Sequence, residues 1–272
     1  MKVGSMEMLT IALAQLKGAL YDKGFNLYRA LSTIQTCKEK NVDYVIFPEL
    51  FLSGFFIQDQ VKDLAEPVDG PSIQAVRQKA KETGVGVIIG FPEVYRNRFY
   101  NSAAFIERDG SLAGVYRKIH LFDKEMEYFT SGEECPTFQT AAGRMAVMMT
   151  FDVEFPELSR IYAIQGTELI LVLNAHSVPY EPHQEIFLRA RALENQLFIA
   201  AANKVGLEKN SVFFGESAVI TPDGMFLERG GNNEELIVTS LDLSDVNRVR
   251  KEHLMKYLEN RQGKLYSKYG LA

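Results

Sequence analysis

Cysteine is scarce in this chain, whose 272 residues contain only Cys37 and Cys135. Two cysteines cannot build the disulfide framework of a small secreted domain, and their spacing matches no zinc site. Cys37 falls on the apolar side of a helical pattern that runs from Phe25 to Lys40, so we expect it to pack in the core. We therefore expect a reducing, cytoplasmic setting and neither a metal nor another cofactor.

Long hydrophobic runs and blocks of like charge are also missing. The apolar run from Met8 to Ala14 is too short to span a bilayer and predicts a first strand, and no segment resembles a signal peptide. The net charge is −5, with acidic and basic residues interleaved, which argues against nucleic acid or an anionic membrane as a main partner. We expect Met1 to Ser5, before a second start-like Met6, to be a cloning remnant.

Strand-like and helix-like segments alternate along the chain, with 46% hydrophobic residues to fill a core. No linker rich in proline, glycine or serine divides it, so we expect one domain over residues 1–272. The pattern by itself predicts an α/β fold. The expected strands are 9–15, 44–47, 85–90, 99–107, 112–118, 147–149, 168–173, 197–202, 213–220 and 236–241, and the expected helices are 25–40, 71–82, 158–165, 181–194 and 244–258.

The stretch from Val147 to Glu157 reads VMMTFDVEFPE and is the strongest candidate for chemistry. An apolar strand stops at Thr150 and Asp152, and a helix-like segment follows. The end of a strand that leads into a helix is a place where a nucleophile can stand exposed, near backbone N–H groups that can bind an oxyanion. An ordinary strand-to-helix turn would give the same local pattern.

Two further strand ends carry ionisable residues. The segment VIFPE ends at Glu49, and YRKIHLF places Lys118 among apolar residues. Asp109-Gly110 lies between two apolar runs, which predicts a hairpin that delivers Lys118 at the end of its second strand. Taken singly, Glu49 could be a loop cap and Lys118 a surface lysine.

Together, these three segments resemble the nitrilase superfamily of carbon–nitrogen hydrolases, whose Glu-Lys-Cys triad lies in contexts such as FPE, RKxHLF and CYDxxFPE. The resemblance implies an α-β-β-α sandwich of two mixed sheets. It also implies Glu49 as the general base and Lys118 as the group that stabilises the oxyanion and the leaving group. At the nucleophile position the sequence departs from the family, because Thr150 replaces the cysteine.

The resemblance implies further site residues. Glu125 matches a second acid that orients the lysine, with Glu127 as the alternative, and the N–H group of Phe151 would bind the oxyanion. Glu154 stands where many members carry arginine, which favours an amidase-like branch. We expect substrate contacts from Glu154, from Asn174 at a strand end, and from Phe55. The apolar loop that carries Phe55 could equally belong to the core.

Threonine is a poor substitute for the family cysteine. Its hydroxyl is far harder to deprotonate than a thiol, its methyl group crowds the attack path, and an internal Thr150 lacks the N-terminal amine on which catalytic threonines rely. Cys135 lies in a loop before the strand and does not replace it. We therefore expect an inactive or slow amidase or carbamoylase, whether the threonine is natural or introduced.

Two alternatives remain open at this stage. One is a non-catalytic protein that binds a small amide or carboxylate, and the other is a structural or interaction subunit. The resemblance further implies a homodimer or larger oligomer, with the C-terminal tail, residues 250–272, at the interface.

Overall fold

The computed structural model describes residues 8–252 and 254–270, so the expected cloning remnant at Met1 to Ser5 lies outside the described residues. The strands are β1 (Leu9–Gln15), β2 (Tyr44–Ile46), β3 (Gly86–Tyr95), β4 (Arg98–Ile106), β5 (Leu112–Arg117), β6 (Thr137–Gln139), β7 (Arg144–Met149), β8 (Leu169–Leu173), β9 (Phe198–Ala202), β10 (Val205–Glu208), β11 (Ser211–Phe214), β12 (Ala218–Ile220), β13 (Phe226–Arg229) and β14 (Glu235–Leu241). The helices are α1 (Lys23–Glu39), α2 (Val61–Leu64), α3 (Pro71–Thr83), α4 (Pro156–Ile164), α5 (Glu181–Asn195), α6 (Ser244–Glu252) and α7 (Gly263–Lys268). Among the described residues, no helix combines the length and the apolar character needed to cross a membrane.

The strands form two six-stranded sheets, in the orders β14-β1-β2-β3-β4-β5 and β13-β12-β9-β8-β7-β6, and a separate β10-β11 ribbon. Each sheet mixes parallel and antiparallel pairs; β1 pairs parallel with β2 and antiparallel with β14, for example. One apolar cluster joins the facing sides of both sheets and extends to α4 and α5. A second cluster packs α1 and α3 on the outer face of the first sheet. The expected α-β-β-α sandwich is therefore confirmed.

Burial on both faces explains why the central strands read as continuous apolar runs. All residues of β8, LILVL, and of β9, FIAAA, are buried. Strand β8 runs parallel to both β7 and β9, so the carboxyl ends of these three strands meet at one edge of the sheet. The side chains that follow those ends are therefore brought together.

Two expected elements differ in the structure. The expected strand 213–220 is divided into β11 and β12, because Gly215 and Glu216 adopt positive φ angles of 76° and 52°. The two halves then pair with different partners, β11 with β10 and β12 with β9. The expected helix 244–258 ends at Glu252. Val246 is its one buried residue within the described range, so little packing is available to stabilise further turns.

Candidate active site

Glu49 lies just beyond the end of β2, in a segment that passes very close to β3. A Cβ atom on Gly90 of β3 would lie only 2.5 Å from the backbone nitrogen of Leu50, so only glycine permits this approach. Leu50 itself adopts a left-handed conformation with φ of 49°, a costly geometry for a branched residue. The N–H group of Glu49 donates to the carbonyl of Asn174 at 3.3 Å. The backbone that carries the Glu49 carboxylate is thus tightly constrained.

Lys118 follows the last residue of β5 and is 1% exposed. Its Nζ atom lies 2.7 Å from Oε1 of Glu49 and 2.7 Å from Oε2 of Glu125. The side-chain amide of Asn101 also donates to both carboxylates, at 2.6 Å to Glu49 and 3.0 Å to Glu125. These four buried groups form a hydrogen-bonded cluster, the acid–lysine cluster, in which two carboxylates share one ammonium.

The charges of this cluster shift its proton affinities. Burial alone would lower the pKa of Lys118, but the negative charges and hydrogen bonds of Glu49 and Glu125 outweigh it, and the pKa rises above its ordinary value of 10.5. For Glu125, burial is the largest effect; with the nearby charge of Glu49, it raises the pKa despite the opposing effect of Lys118. Lys118 is therefore firmly protonated, and Glu125 holds its proton to a higher pH than an ordinary glutamate.

Thr150 lies directly after β7 and begins a short 3-10 helix, Thr150–Glu154. Its backbone N–H group donates to Oε2 of Glu49 at 3.1 Å, and its hydroxyl donates to the same oxygen. The N–H group of Ala175, just beyond β8, donates to the Thr150 hydroxyl at 2.7 Å. The structure thus brings Glu49, Lys118 and Thr150 together at three strand ends, as the sequence predicts.

Asp152, which is fully buried, holds the turn that carries Thr150. Its carboxylate accepts the N–H group of Met149 at 3.0 Å and the hydroxyl of Tyr116 at 2.7 Å. It also accepts the backbone N–H group of His120 at 2.9 Å. Because Tyr116 and His120 flank Lys118 in the chain, Asp152 ties the turn that carries Thr150 to the segment that carries Lys118.

Arg191 supports the same turn from α5. Its guanidinium donates to the carbonyls of Val153 and Glu154, each at 2.9 Å. On its own helix, Arg191 also pairs with Glu194 at 3.1 Å, a contact that the spacing of three residues allows. The sequence does not predict the contacts of Arg191 with the turn that carries Thr150, because no local pattern shows which loop a helix faces.

A cavity of about 600 Å³ opens beside the cluster. Thr150, Lys118 and Glu125 lie in its wall, and so do Phe55 and Glu154. Phe55 is therefore part of the cavity wall, although its neighbours Phe51, Leu52 and Ile57 are buried. The cavity is also lined by Phe56, Phe122, Tyr128, Phe151, His176, Tyr180 and Phe213.

Three other residues considered from the sequence lie away from the cavity surface. Asn174 is fully buried and its side chain donates to Gln184 at 2.7 Å, so it does not reach the cavity for the expected substrate contact. Its backbone carbonyl instead accepts the N–H group of Glu49. Glu127 is exposed, whereas Glu125 contacts Lys118. Cys135 packs against the core, and burial raises its thiol pKa, which disfavours the reactive thiolate.

The sequence of this chain is similar to known proteins over almost its whole length. Residues 10–251 match the family model of carbon-nitrogen hydrolases. The chain is 36% identical to an (R)-stereoselective amidase of Pseudomonas sp., over 93% of this chain and 92% of that protein. It is 31% identical to the omega-amidase NIT2 of Mus musculus, over 96% and 98% of the two chains.

Among solved structures, a mutant of the amidase from Nesterenkonia sp. AN1 in complex with butyramide superposes with a TM-score of 0.87 at 27% identity, covering 99% of this chain and 100% of that one. Similarity of this extent, in both sequence and fold, goes beyond a shared architecture. The chain therefore belongs to the carbon–nitrogen hydrolase family of the nitrilase superfamily.

Proposed function

We propose that this site is built to hydrolyse the carbon–nitrogen bond of a small amide or N-carbamoyl compound, and that Thr150 makes the chain slow or inactive. The observation that carries the proposal is the position of the Lys118 ammonium. It lies 2.7 Å from each of two carboxylates, and Glu49, one of these two, also contacts the side chain at position 150. This arrangement combines a base, a nucleophile position and a fixed positive charge in one wall of a cavity.

In the proposed mechanism, Glu49 removes the proton of a nucleophile at position 150 as that atom attacks the amide carbon. The carbonyl oxygen becomes an oxyanion, stabilised by the Lys118 ammonium and the N–H group of Phe151. Collapse of the intermediate breaks the carbon–nitrogen bond, and Glu49 returns the proton to the departing ammonia or amine. A water molecule, deprotonated by Glu49, then hydrolyses the acyl-enzyme and releases the acid.

Thr150 weakens the first step of this scheme. Its hydroxyl is already engaged, donating to Glu49 and accepting from Ala175 at 2.7 Å. A cysteine thiol has an ordinary pKa of roughly 8.5, and a nearby ammonium favours its thiolate. Threonine offers no comparable anion, and its methyl group crowds the approach of the carbonyl carbon. A second candidate function, non-catalytic binding of a small amide, is favoured by this combination of an open cavity and a poor nucleophile.

The test is Thr150→Cys beside Thr150→Ala, with ammonia release measured for butyramide, other short aliphatic amides and N-carbamoyl compounds. Butyramide comes first because the similar Nesterenkonia amidase mutant binds it. The hydrolase proposal predicts release by the cysteine variant alone, together with covalent labelling of the new thiol by iodoacetamide. A folded cysteine variant that matches the alanine variant on every compound, and whose thiol is not labelled, would leave the binding function.

We also propose a homodimer formed through α4 and the C-terminal segment. A surface groove of about 940 Å³ runs between them, and exposed apolar side chains line it, including Ile161 at 40%, Ile164 at 59% and Met255 at 56% exposure. Light scattering should give a dimer or larger species, and Ile164→Asp should shift it towards monomer. Tyr28→Asp, at an exposed position on α1, is the control. A monomer at micromolar concentration would contradict this assembly.

A further inference from the structure

His176 has a buried ring without hydrogen-bond partners. The residue is 6% exposed, and among the described residues neither ring nitrogen has a partner. Its backbone is nevertheless fixed, because the side chain of Asn203 accepts the His176 N–H group at 2.9 Å and donates to the His176 carbonyl at 3.3 Å. Buried polar atoms are usually satisfied. An imidazole that is held in place and lines the cavity is therefore suited to a ligand's polar group.

Glu154 lies beside this ring. Its Oε1 atom is 3.7 Å from Nε2 of His176, too long for a hydrogen bond, and no lysine or arginine within the described residues pairs with this carboxylate. Its side chain is 28% exposed. Glu125, a buried acid of the same cavity wall, is already bonded to Lys118. Glu154 is thus a carboxylate that lines the cavity with space for a cationic partner.

Charges elsewhere in the wall do not neutralise Glu154. Asp123 and Lys124 are adjacent, exposed and of opposite sign, so their fields offset one another in solvent. Lys118 is surrounded by the carboxylates of Glu49 and Glu125. The Arg191 guanidinium contacts the Glu154 carbonyl, but its charge is paired with Glu194. The Glu154 carboxylate therefore makes this end of the cavity favourable to a positive charge.

The position of this pair relates it to the nucleophile. Glu154 is four residues after Thr150, at the end of the same 3-10 helix, so their backbones lie about 8 Å apart at a rise of about 2.0 Å per residue. His176 directly follows Ala175, whose N–H group contacts the Thr150 hydroxyl. Aromatic rings of Phe151 and Tyr180 line the same space, and such rings attract cations through their faces.

We propose that Glu154 and His176 form a subsite for a protonated amino group on the acyl part of the substrate. The ammonium would donate to the Glu154 carboxylate and to the unprotonated ring nitrogen of His176, while its amide group lies at residue 150. This inference deepens the proposed function and rests on it for the position of the amide. The substrate class is a small amino-substituted carboxamide, in which only a few bonds separate the ammonium from the amide carbon.

The test is equilibrium binding to the chain as it stands, measured by calorimetry with three compounds of similar length. They are 4-aminobutyramide, neutral butyramide and anionic succinamate; the amides of 3-aminopropanoic and 5-aminopentanoic acids vary the spacing. A charge-assisted contact predicts that the best amino amide binds about tenfold more tightly than butyramide, with succinamate weakest. Glu154→Gln should bring the ratio between amino amide and butyramide close to one.

Matched variants separate the subsite from general effects. Glu157→Gln removes an exposed carboxylate three residues further on, outside this cavity, and should keep the preference. His176→Leu keeps the side-chain volume without an acceptor and should lower the affinity for the amino amide by less than Glu154→Gln does. Thermal unfolding of each variant checks its fold.

Equal or tighter binding of butyramide or succinamate, a preference that survives Glu154→Gln, or no binding by any amino amide would overturn the inference. The outcome is independent of ammonia release by Thr150→Cys. A binding preference without ammonia release would sustain the subsite and reject hydrolysis. Ammonia release without the preference would sustain hydrolysis and reject the subsite.

Discussion

The Oε2 atom of Glu49 accepts two hydrogen bonds from one residue, Thr150: one from the backbone N–H group at 3.1 Å and one from the side-chain hydroxyl. Glu49, the proposed base, therefore already contacts the side chain at position 150, and its other oxygen contacts Lys118 at 2.7 Å. A general base must lie within hydrogen-bond reach of the proton that it removes, and this condition is met. What limits the proposed reaction is then the chemistry of the side chain at position 150.

This relationship predicts a difference between Thr150→Ser and Thr150→Cys. Serine removes the methyl group but keeps a hydroxyl of high pKa, whereas cysteine also supplies an acidic thiol. If acidity is limiting, amide hydrolysis by the serine variant should stay near that of the parent chain, and the cysteine variant should exceed both by several orders of magnitude. Losing a nucleophile can lower the rate about a millionfold, so a difference of this size between the variants is readily measured. Equal rates for the two variants would instead identify the methyl group as the obstacle.

A second prediction separates Glu125 from Glu127 in the Thr150→Cys background. Glu125→Gln removes a carboxyl group that contacts Lys118 at 2.7 Å, so the lysine loses one of its two carboxyl restraints. Misplacement of a catalytic group can cost about a hundredfold, and we expect kcat/KM for butyramide to fall by about that factor. Glu127→Gln is the matched control, because Glu127 is exposed, and its kcat/KM should stay unchanged. A larger loss for Glu127→Gln would reverse the assignment of the second acid.

The sequence predicted the strand ends of this site well. Strand β1 has the predicted bounds, Leu9–Gln15, and the apolar runs before Glu49, Lys118 and Thr150 all form strands. Local periodicity suffices here, because strands buried on both faces need continuous apolar residues. The Asp109-Gly110 turn likewise joins β4 to β5, with φ of 81° at Gly110.

The contacts around those strand ends could not be predicted in the same way. Asn101 lies inside β4, where nothing local marks it as the amide that bridges Glu49 and Glu125. The break between β11 and β12 depends on tertiary contacts, since Asn203 donates to the Gly215 carbonyl at 2.7 Å. Such partners are distant in sequence, so their pairing leaves no signal in the residues next to either of them.

A third prediction concerns the glycine behind Glu49. In Gly90→Ala the new methyl carbon would lie 2.5 Å from the Leu50 nitrogen and 3.0 Å from the Pro48 carbonyl oxygen. These are backbone atoms, so the Glu49 segment must shift, and overpacking of this kind costs typically about 1–3 kcal/mol. Urea unfolding should show that loss, and Gly90→Ala should lower the activity of Thr150→Cys. Gly263→Ala, whose added carbon would meet no described atom within 4 Å beyond its own helix and chain neighbours, should lower neither. An active Gly90→Ala enzyme of undiminished stability would show that the close approach is not needed.

The last prediction is a pH dependence that follows from Lys118. Its pKa is raised in the folded state, so the folded chain holds this proton more tightly than the unfolded chain. The resulting stabilisation is fully present below the ordinary value of 10.5 and is lost as the pH rises from there through the raised value. Lys118→Met leaves the buried carboxylates without their ammonium, which should lower the free energy of unfolding by about 3–5 kcal/mol near neutral pH.

That difference between parent and Lys118→Met, measured by urea unfolding, should not shrink between neutral pH and about 10.5 and should shrink only above it. Lys124→Met is the control for general alkaline effects, because Lys124 is exposed at the cavity rim and should contribute little at any pH. If burial dominated instead, desolvation would lower the pKa of Lys118. The difference in unfolding free energy between parent and Lys118→Met would then disappear well below pH 10.5. A difference that disappears well below pH 10.5 would therefore show that the two carboxylates do not stabilise the ammonium as the geometry indicates.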